Sequence, residues 1–362
     1  MGFSCGLVGL PNAGKSTIFN ALSGSGARVE SYPFCTIEAN RAVIDVPDAR
    51  LDALTALHPA SRRVPTTLEI VDVAGLVQGA SRGEGMGNQF LSEIRAVDAI
   101  LHVVRCFEDG DVAHVAGSVD PARDMGVVST ELLLKDLETV QRVVERVRRE
   151  AKSGDRKSLT RVAAWEEIAE GVARGVPVRR LDPPHELLGE LREVALLTAK
   201  PLLYVANVGD DEENANARVV ERMAAEEGDP AVTLWGQVES EVAEATEDLD
   251  ERLAFLEQWG LRGTGLDRLL RAGYELLGLV TFYTLEGPEV RAWTVPRGTL
   301  APQAGGRVHS DFESRFVVAE VMRVEELLAA GSEKRLKETG SVHRAGHDYE
   351  VRDGDVIRFV CA

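Results

Sequence analysis

One segment carries the residue types that hold a triphosphate: Gly9-Leu10-Pro11-Asn12-Ala13-Gly14-Lys15-Ser16-Thr17. Glycines let successive backbone N–H groups curl around phosphate oxygens. A lysine at this spacing reaches the outer phosphates as a point charge, and the serine hydroxyl after it can ligate Mg²⁺. Asn12, Ala13, Gly14, Lys15, Ser16 and Thr17 are therefore the candidate nucleotide-binding residues, and Lys15 is also a catalytic candidate. The pattern G-x-x-x-x-G-K-S carries weight only between a strand and a helix. Here FSCGLV, residues 3–8, reads as a short buried strand, and IFNAL opens a helix. The helix then points its positive end at the phosphates.

A second set lies about 55 residues further on. LEIV, residues 68–71, reads as a strand that ends in Asp72-Val73-Ala74-Gly75. An acidic residue at such a strand end holds Mg²⁺ in P-loop NTPases. Gly75 can bring a backbone N–H to the terminal phosphate. Between the two sets, Thr36 of Tyr32-Pro33-Phe34-Cys35-Thr36 can supply another hydroxyl. The candidate metal ligands are Ser16, Thr36 and Asp72.

These residues need a scaffold. The chain has 362 residues, 44% of them hydrophobic, enough for a large core and two or three domains. Its net charge of −18 argues against coating nucleic acid by bulk charge, so no DNA partner is expected. No apolar run approaches the ~18–20 residues that span a bilayer, so no membrane partner is expected. The first residues carry no basic stretch, so no signal peptide is expected. Cys5, Cys35, Cys106 and Cys361 lie far apart, which fits reduced thiols in a cytoplasmic protein without a zinc site.

Four stretches resemble the YchF family of Obg-like P-loop NTPases: GLPNAGKSTIFNAL, YPFCTIEANRAVIDVPDARLDAL, VDVAGLVQGASRGEGMGNQFLSEIRAVDAILHVVRCFED and EVRAWTVPRGTLAPQAGGRVHSDFE. The resemblance covers nearly the whole chain. It implies an α/β fold, a P-loop G domain with an inserted helical hairpin and a C-terminal β-rich TGS-like domain. It also implies hydrolysis of ATP more often than GTP, and association with ribosomes.

Patterning supports three parts independently. Leu133, Leu137, Val140, Val144 and Val147 recur at spacings of four and three, a coiled-coil-like stripe that begins near Thr130. After Ser153-Gly154-Asp155, a second helical stretch holds Val162, Trp165 and Ile168; a third carries Leu187, Leu191 and Val194. The sheet resumes at LLYVA, residues 202–206. From Leu279 onward short apolar runs alternate with glycine, as in a small β-rich domain. The expected division is residues 1–130 and 200–277 for the G domain, 131–199 for the helical insertion and 278–362 for the TGS domain.

Base preference stays open. After the resumed strand, GTPases typically carry N-K-x-D; this chain has Asn207-Val208-Gly209-Asp210. The lysine is absent, which favours ATP, but Asp210 stands where the family usually has glutamate, which keeps GTP as the alternative. Trp235-Gly236-Gln237 departs from the Ser-Ala-Lys that the family resembles, and Trp235 is equally a core residue. Asn207 and Val208 are the base-site candidates.

Leu76 occupies the position where many GTPases place a water-orienting glutamine, and it can do no such work. Either another group completes the site or the chain is a nucleotide-sensing module with negligible turnover. His114, in the loop EDGDVAHVAGSVD, is the candidate group, able to swing toward the nucleotide and orient water or carry a proton. Asn12 offers a further route, because several NTPases with asparagine here use K⁺ in place of an arginine finger. For partners, residues 142–161 carry eight basic and three acidic side chains, a positive tip on a negative chain. That contrast marks the hairpin tip as the rRNA contact, against the alternative of a solvated helix face. Residues 210–252 are strongly acidic, with no role beyond solubility evident.

Overall fold

A computed structural model describes residues 3–24, 28–29, 40–73, 86–151, 155–209, 214–246, 248–258, 261 and 263–362. Thr36, Gly75, Leu76, Lys152, Ser153, Gly154 and Asp210 lie outside the described residues. The chain divides into two compact units, Met1–Ile44 with Glu69–Leu276, and Asp45–Leu68 with Leu277–Ala362.

The first unit is built on a seven-stranded sheet. Its strands are β1 (Phe3–Val8), β2 (Arg28–Val29), β3 (Asn40–Asp45), β5 (Thr67–Asp72), β6 (Ala99–Arg105), β7 (Leu202–Asn207) and β8 (Ala231–Leu234), in the order β2-β3-β5-β1-β6-β7-β8. β1, β6, β7 and β8 run parallel. Parallel strands buried on both faces read as continuous apolar runs, and every residue of β6 and β7 is buried. Helices α1 (Lys15–Gly24), α3 (Met86–Ala96), α7 (Ala215–Glu227), α8 (Gly236–Ala245), α9 (Leu249–Gln258) and α10 (Gly265–Leu276) complete this α/β layer.

Between β6 and β7 the chain forms the helical insertion. α4 (Pro121–Glu150) runs 30 residues, starting well before Thr130. The reason is local: Asp120 caps the helix by accepting from the Arg123 N–H, and Pro121 sits in the first turn where its missing N–H costs nothing. α5 (Arg156–Ala173) packs back on it. Val140, Val144, Val147, Trp165 and Ile168 share one core, with Leu133 and Leu137 against it. The third stretch is only a short helix, α6 (Leu188–Val194), flanked by single 3₁₀ turns.

The second unit carries a six-stranded sheet in the order β12-β11-β13-β9-β10-β4. Its strands are β4 (Arg62–Val64), β9 (Leu279–Thr284), β10 (Glu289–Pro296), β11 (Phe316–Arg323), β12 (His343–Ala345) and β13 (Asp355–Cys361). Its helices are α2 (Ala49–Leu57), α11 (Ala301–Val308), α12 (Ser310–Ser314), α13 (Val324–Ala330) and α14 (Glu333–Thr339). The β-rich C-terminal domain therefore begins where the pattern changes at Leu279. The assignment of 45–68 changes, however, because these residues pack with the C-terminal unit rather than with the G domain. Leu51 and Leu54 of α2 bury against Tyr283, Val290, Met322 and Leu327. Arg50 pairs with Asp353 at 2.6 Å, and β4 lies parallel to β10.

Candidate nucleotide-binding site

The loop between β1 and α1 is shaped by two left-handed residues, Asn12 (φ 62°) and Gly14 (φ 92°). Asparagine tolerates that region better than most side chains, and glycine does so without cost. Gly14 has a second constraint: a Cβ there would collide with Asn207 Nδ2. At the end of the loop Lys15 is 7% exposed, and its Nζ donates to the carbonyls of Gly9 (3.2 Å) and Leu10 (3.0 Å). Ser16 Oγ donates to Asp72 Oδ2 at 2.9 Å. Burial lowers the pKa of the Lys15 ammonium, with Asp72 opposing. Burial likewise raises that of the Asp72 carboxyl, against the Ser16 hydrogen bond and Lys15. Both charges sit where a ligand of opposite sign would restore them.

These residues open onto a cavity of about 530 Å³. Asn12, Gly14, Lys15, Ser16 and Thr17 form its phosphate end. Phe107, Glu108, Asp109, Val112, Asn207, Val208, Gly209, Gln237 and Glu241 line the rest. The hydroxyl of Ser16 and the carboxylate of Asp72 are hard oxygen donors, the set Mg²⁺ takes. Their 2.9 Å approach is the close spacing of two ligands on one ion.

Two candidate residues, Asn207 and His114, are held by further contacts in the structure. Asn207 is 3% exposed, and its amide is committed: Nδ2 donates to the Ala13 carbonyl (3.0 Å), and Oδ1 accepts from the Gly236 N–H (3.1 Å). It braces the phosphate loop against the start of α8, and both Asn207 and Val208 line the cavity. His114 is pinned rather than free to swing. Its side chain is 5% exposed, Nε2 lies 2.9 Å from Asp124 Oδ2, and Nδ1 accepts from the Ala116 N–H at 3.1 Å. It does not line the cavity. The adjacent Ala113 carbonyl accepts from Asn12 Nδ2 at 2.9 Å, so the His114 loop is tied to the phosphate loop all the same. Trp235 packs half-buried against the sheet core, with the Arg268 guanidinium 6.0 Å from its ring centre.

The sequence patterns did not single out Phe107 or Glu241, and Gln237 entered only as part of the departure Trp235-Gly236-Gln237. Residues 106–109 follow β6 as 208–209 follow β7, and in a parallel sheet ligands bind beyond the carboxyl ends of the strands. Adjacent strand ends could have flagged the Arg105-Cys106-Phe107 segment.

A glycine turn that only mimics the motif has no reason to set a strand-end aspartate against its serine. The Ser16–Asp72 pairing, over a parallel sheet, defines the class: a P-loop nucleoside triphosphatase. Comparison with known proteins narrows it. Residues 4–135 match a family model described as "50S ribosome-binding GTPase", and 279–362 match the C-terminal model of YchF GTPases, described as "protein of unknown function". The chain is 46% identical over 362 residues to the ribosome-binding ATPase YchF of Escherichia coli O157:H7. It is 44% identical over 364 residues to that of Bacillus subtilis; 99% of both chains is covered in each case. The structure of the Schizosaccharomyces pombe YchF GTPase matches with a TM-score of 0.87 at 33% identity, covering 99% of this chain and 97% of that one. The chain belongs to the YchF family. Among the described residues no helix is long and apolar enough to cross a membrane.

Proposed function

We propose that this chain binds a Mg²⁺–nucleoside triphosphate in the 530 Å³ cavity, with ATP preferred, and that water cleaves its terminal phosphoanhydride to give the nucleoside diphosphate and phosphate, in a ribosome-linked cycle in the cytoplasm. The observation that carries this is that Lys15 and Ser16 line the cavity and Ser16 is hydrogen-bonded to Asp72 at the end of β5. Lys15 leaves the loop carbonyls for the outer phosphates and neutralises the charge that grows there. Ser16 and Asp72 would hold the metal, with Thr36 as a further ligand, and the ion would supply charge neutralisation for the phosphates; the Gly75 N–H would meet the terminal phosphate. Val208 in place of the usual lysine, with Phe107 across the cavity, favours a base held by stacking and apolar contact over one read by a guanine-specific carboxylate. The bacterial relatives are named ATPases, which supports the same preference.

His114 is the group we assign to the attacking water. Reaching it requires the ring to leave Asp124, so turnover depends on a rearrangement of the loop. Asn12 Nδ2 is held by Ala113, which leaves Oδ1 as the free acceptor for K⁺. The ribosome contact is assigned to rRNA at the basic end of α4 and α5, again following the relatives' names. Dissociation constants for non-hydrolysable ATP and GTP analogues on wild type and Lys15→Ala test the core of this. ATP should bind more tightly, and Lys15→Ala should lose roughly 10²-fold or more in turnover while remaining folded. Wild-type turnover by Lys15→Ala would refute the assignment.

A further inference from the structure

Arg105 closes β6 and is 3% exposed, yet no carboxylate pairs with it among the described residues. A buried unpaired cation is expensive, so what it does hold is informative. Its Nε donates to the Phe107 carbonyl (3.1 Å), and its Nη2 donates to those of Asp109 (3.3 Å) and Val112 (3.0 Å). The guanidinium carbon stands 4.5 Å from the centre of the Phe107 ring. One side chain thus gathers three carbonyls of a loop whose residues Phe107, Asp109 and Val112 face the cavity, and it also backs the ring. The ring edge in turn lies 4.0 Å from where a Cβ on Gly14 would stand, so it sits beside the phosphate loop.

We infer that Arg105 is a positioning residue for the nucleoside half of the site: it holds Phe107 where a base stacks and has no part in holding phosphate. This rests on reading the cavity as the nucleotide site. Lysine cannot replace it, because a single ammonium lacks the planar fork that reaches three carbonyls and lies flat on a ring.

The test compares Mg²⁺–ATP with Mg²⁺–tripolyphosphate, which has the phosphates and no base, on the full chain. Arg105→Lys should raise Kd and KM for ATP by about 10- to 100-fold, the scale of losing charge-assisted hydrogen bonds. It should leave kcat and the tripolyphosphate Kd unchanged, and unchanged tripolyphosphate binding also shows that the phosphate loop has kept its fold. Phe107→Ala should give the same split, and adding Arg105→Lys to it should cost nothing more, as expected when one residue acts through the other. Parallel losses for ATP and tripolyphosphate, additive losses in the double variant, or a fall in kcat at constant KM would overturn the inference. A wild-type chain that binds neither probe would overturn the nucleotide reading with it.

Discussion

Ser16 donates its hydroxyl hydrogen to the Asp72 carboxylate across 2.9 Å, joining the first turn of α1 to the end of β5. The two residues are 56 positions apart in sequence. A Mg²⁺ ion between them would displace that hydrogen bond and take both oxygens. Ser16→Ala should therefore raise the Mg²⁺ concentration for half-maximal turnover at least about tenfold, since losing even an outer partner of a metal ligand costs 10- to 100-fold. Nucleotide binding in EDTA should change far less. A Mg²⁺ titration of phosphate release, set beside metal-free binding, checks this; equal losses in both would remove Ser16 from the metal.

His114→Ala should lower the single-turnover rate and leave nucleotide affinity nearly unchanged, the pattern of a group acting in the transition state. A general acid–base or water-orienting group contributes about 10²- to 10⁴-fold. Asp124 now holds the ring, so Asp124→Asn should alter the rate only where His114 is present. Equal single-turnover rates for wild type and His114→Ala would take the histidine out of the mechanism.

At the hairpin end the structure separates committed from free cations. Arg148 pairs with Glu166 and Arg161 with Glu150 and Glu190, so both are partly neutralised. Arg149, Arg156 and Lys157 are exposed and carry no carboxylate pair among the described residues. Replacing those three with glutamine should weaken ribosome binding and lower the slope of log K against log salt by roughly 0.7–0.9 per lost phosphate contact. Basal hydrolysis should not change. Sedimentation across a salt series decides; an unchanged slope would return these side chains to the role of a solvated helix face.

Glu239 gives a pH prediction. It is 3% exposed and accepts from the Gly265 and Leu266 N–H groups at the start of α10. Burial pushes its carboxyl up to about 7, from the ordinary 4.5 it keeps in the unfolded chain. Between those values the folded state binds the proton and the unfolded state does not. Stability contributed by this group is therefore full at pH 4.5 and falls as pH rises to 7, by roughly 3 kcal/mol. Glu239→Gln, neutral throughout, should flatten that part of the curve and be the more stable protein above pH 7. Urea midpoints at pH 5 and pH 7.5 measure it; identical pH slopes for the two proteins would show that Glu239 stays ionised.

What the sequence discloses depends on whether a residue's type alone constrains its surroundings. Gly14, Lys15 and Ser16 are legible because their backbone and charge requirements are local to the motif. Asp72 is legible because a strand end fixes its direction. Leu51 and Leu54 announce burial but not the surface that buries them, which is why the sequence reading places residues 45–68 in the G domain. Glu239 looks like one more acid in a solvated stretch until α10 is seen to begin against it. Asn207 reads as a base-site candidate in the sequence, and only the structure shows that its amide also ties the Ala13 carbonyl to the Gly236 N–H.

The route of residues 45–68 bears on how this protein can be cut and recombined. The chain leaves the nucleotide-binding sheet at the end of β3, contributes α2 and the edge strand β4 to the other sheet, and returns as β5 to deliver Asp72. The C-terminal domain is therefore not a cassette appended at residue 277. A stop codon there would strand Leu51 and Leu54 without their burial partners and would leave β4 unpaired, an invitation to aggregation, on the very connection that ends in Asp72, the proposed metal ligand. Transplanting residues 278–362 alone would in turn yield a sheet missing its last strand. Gene fusion, limited proteolysis and domain swapping between relatives should all treat the two units as interleaved, with viable junctions falling in pairs around 45 and 68 as well as at 277.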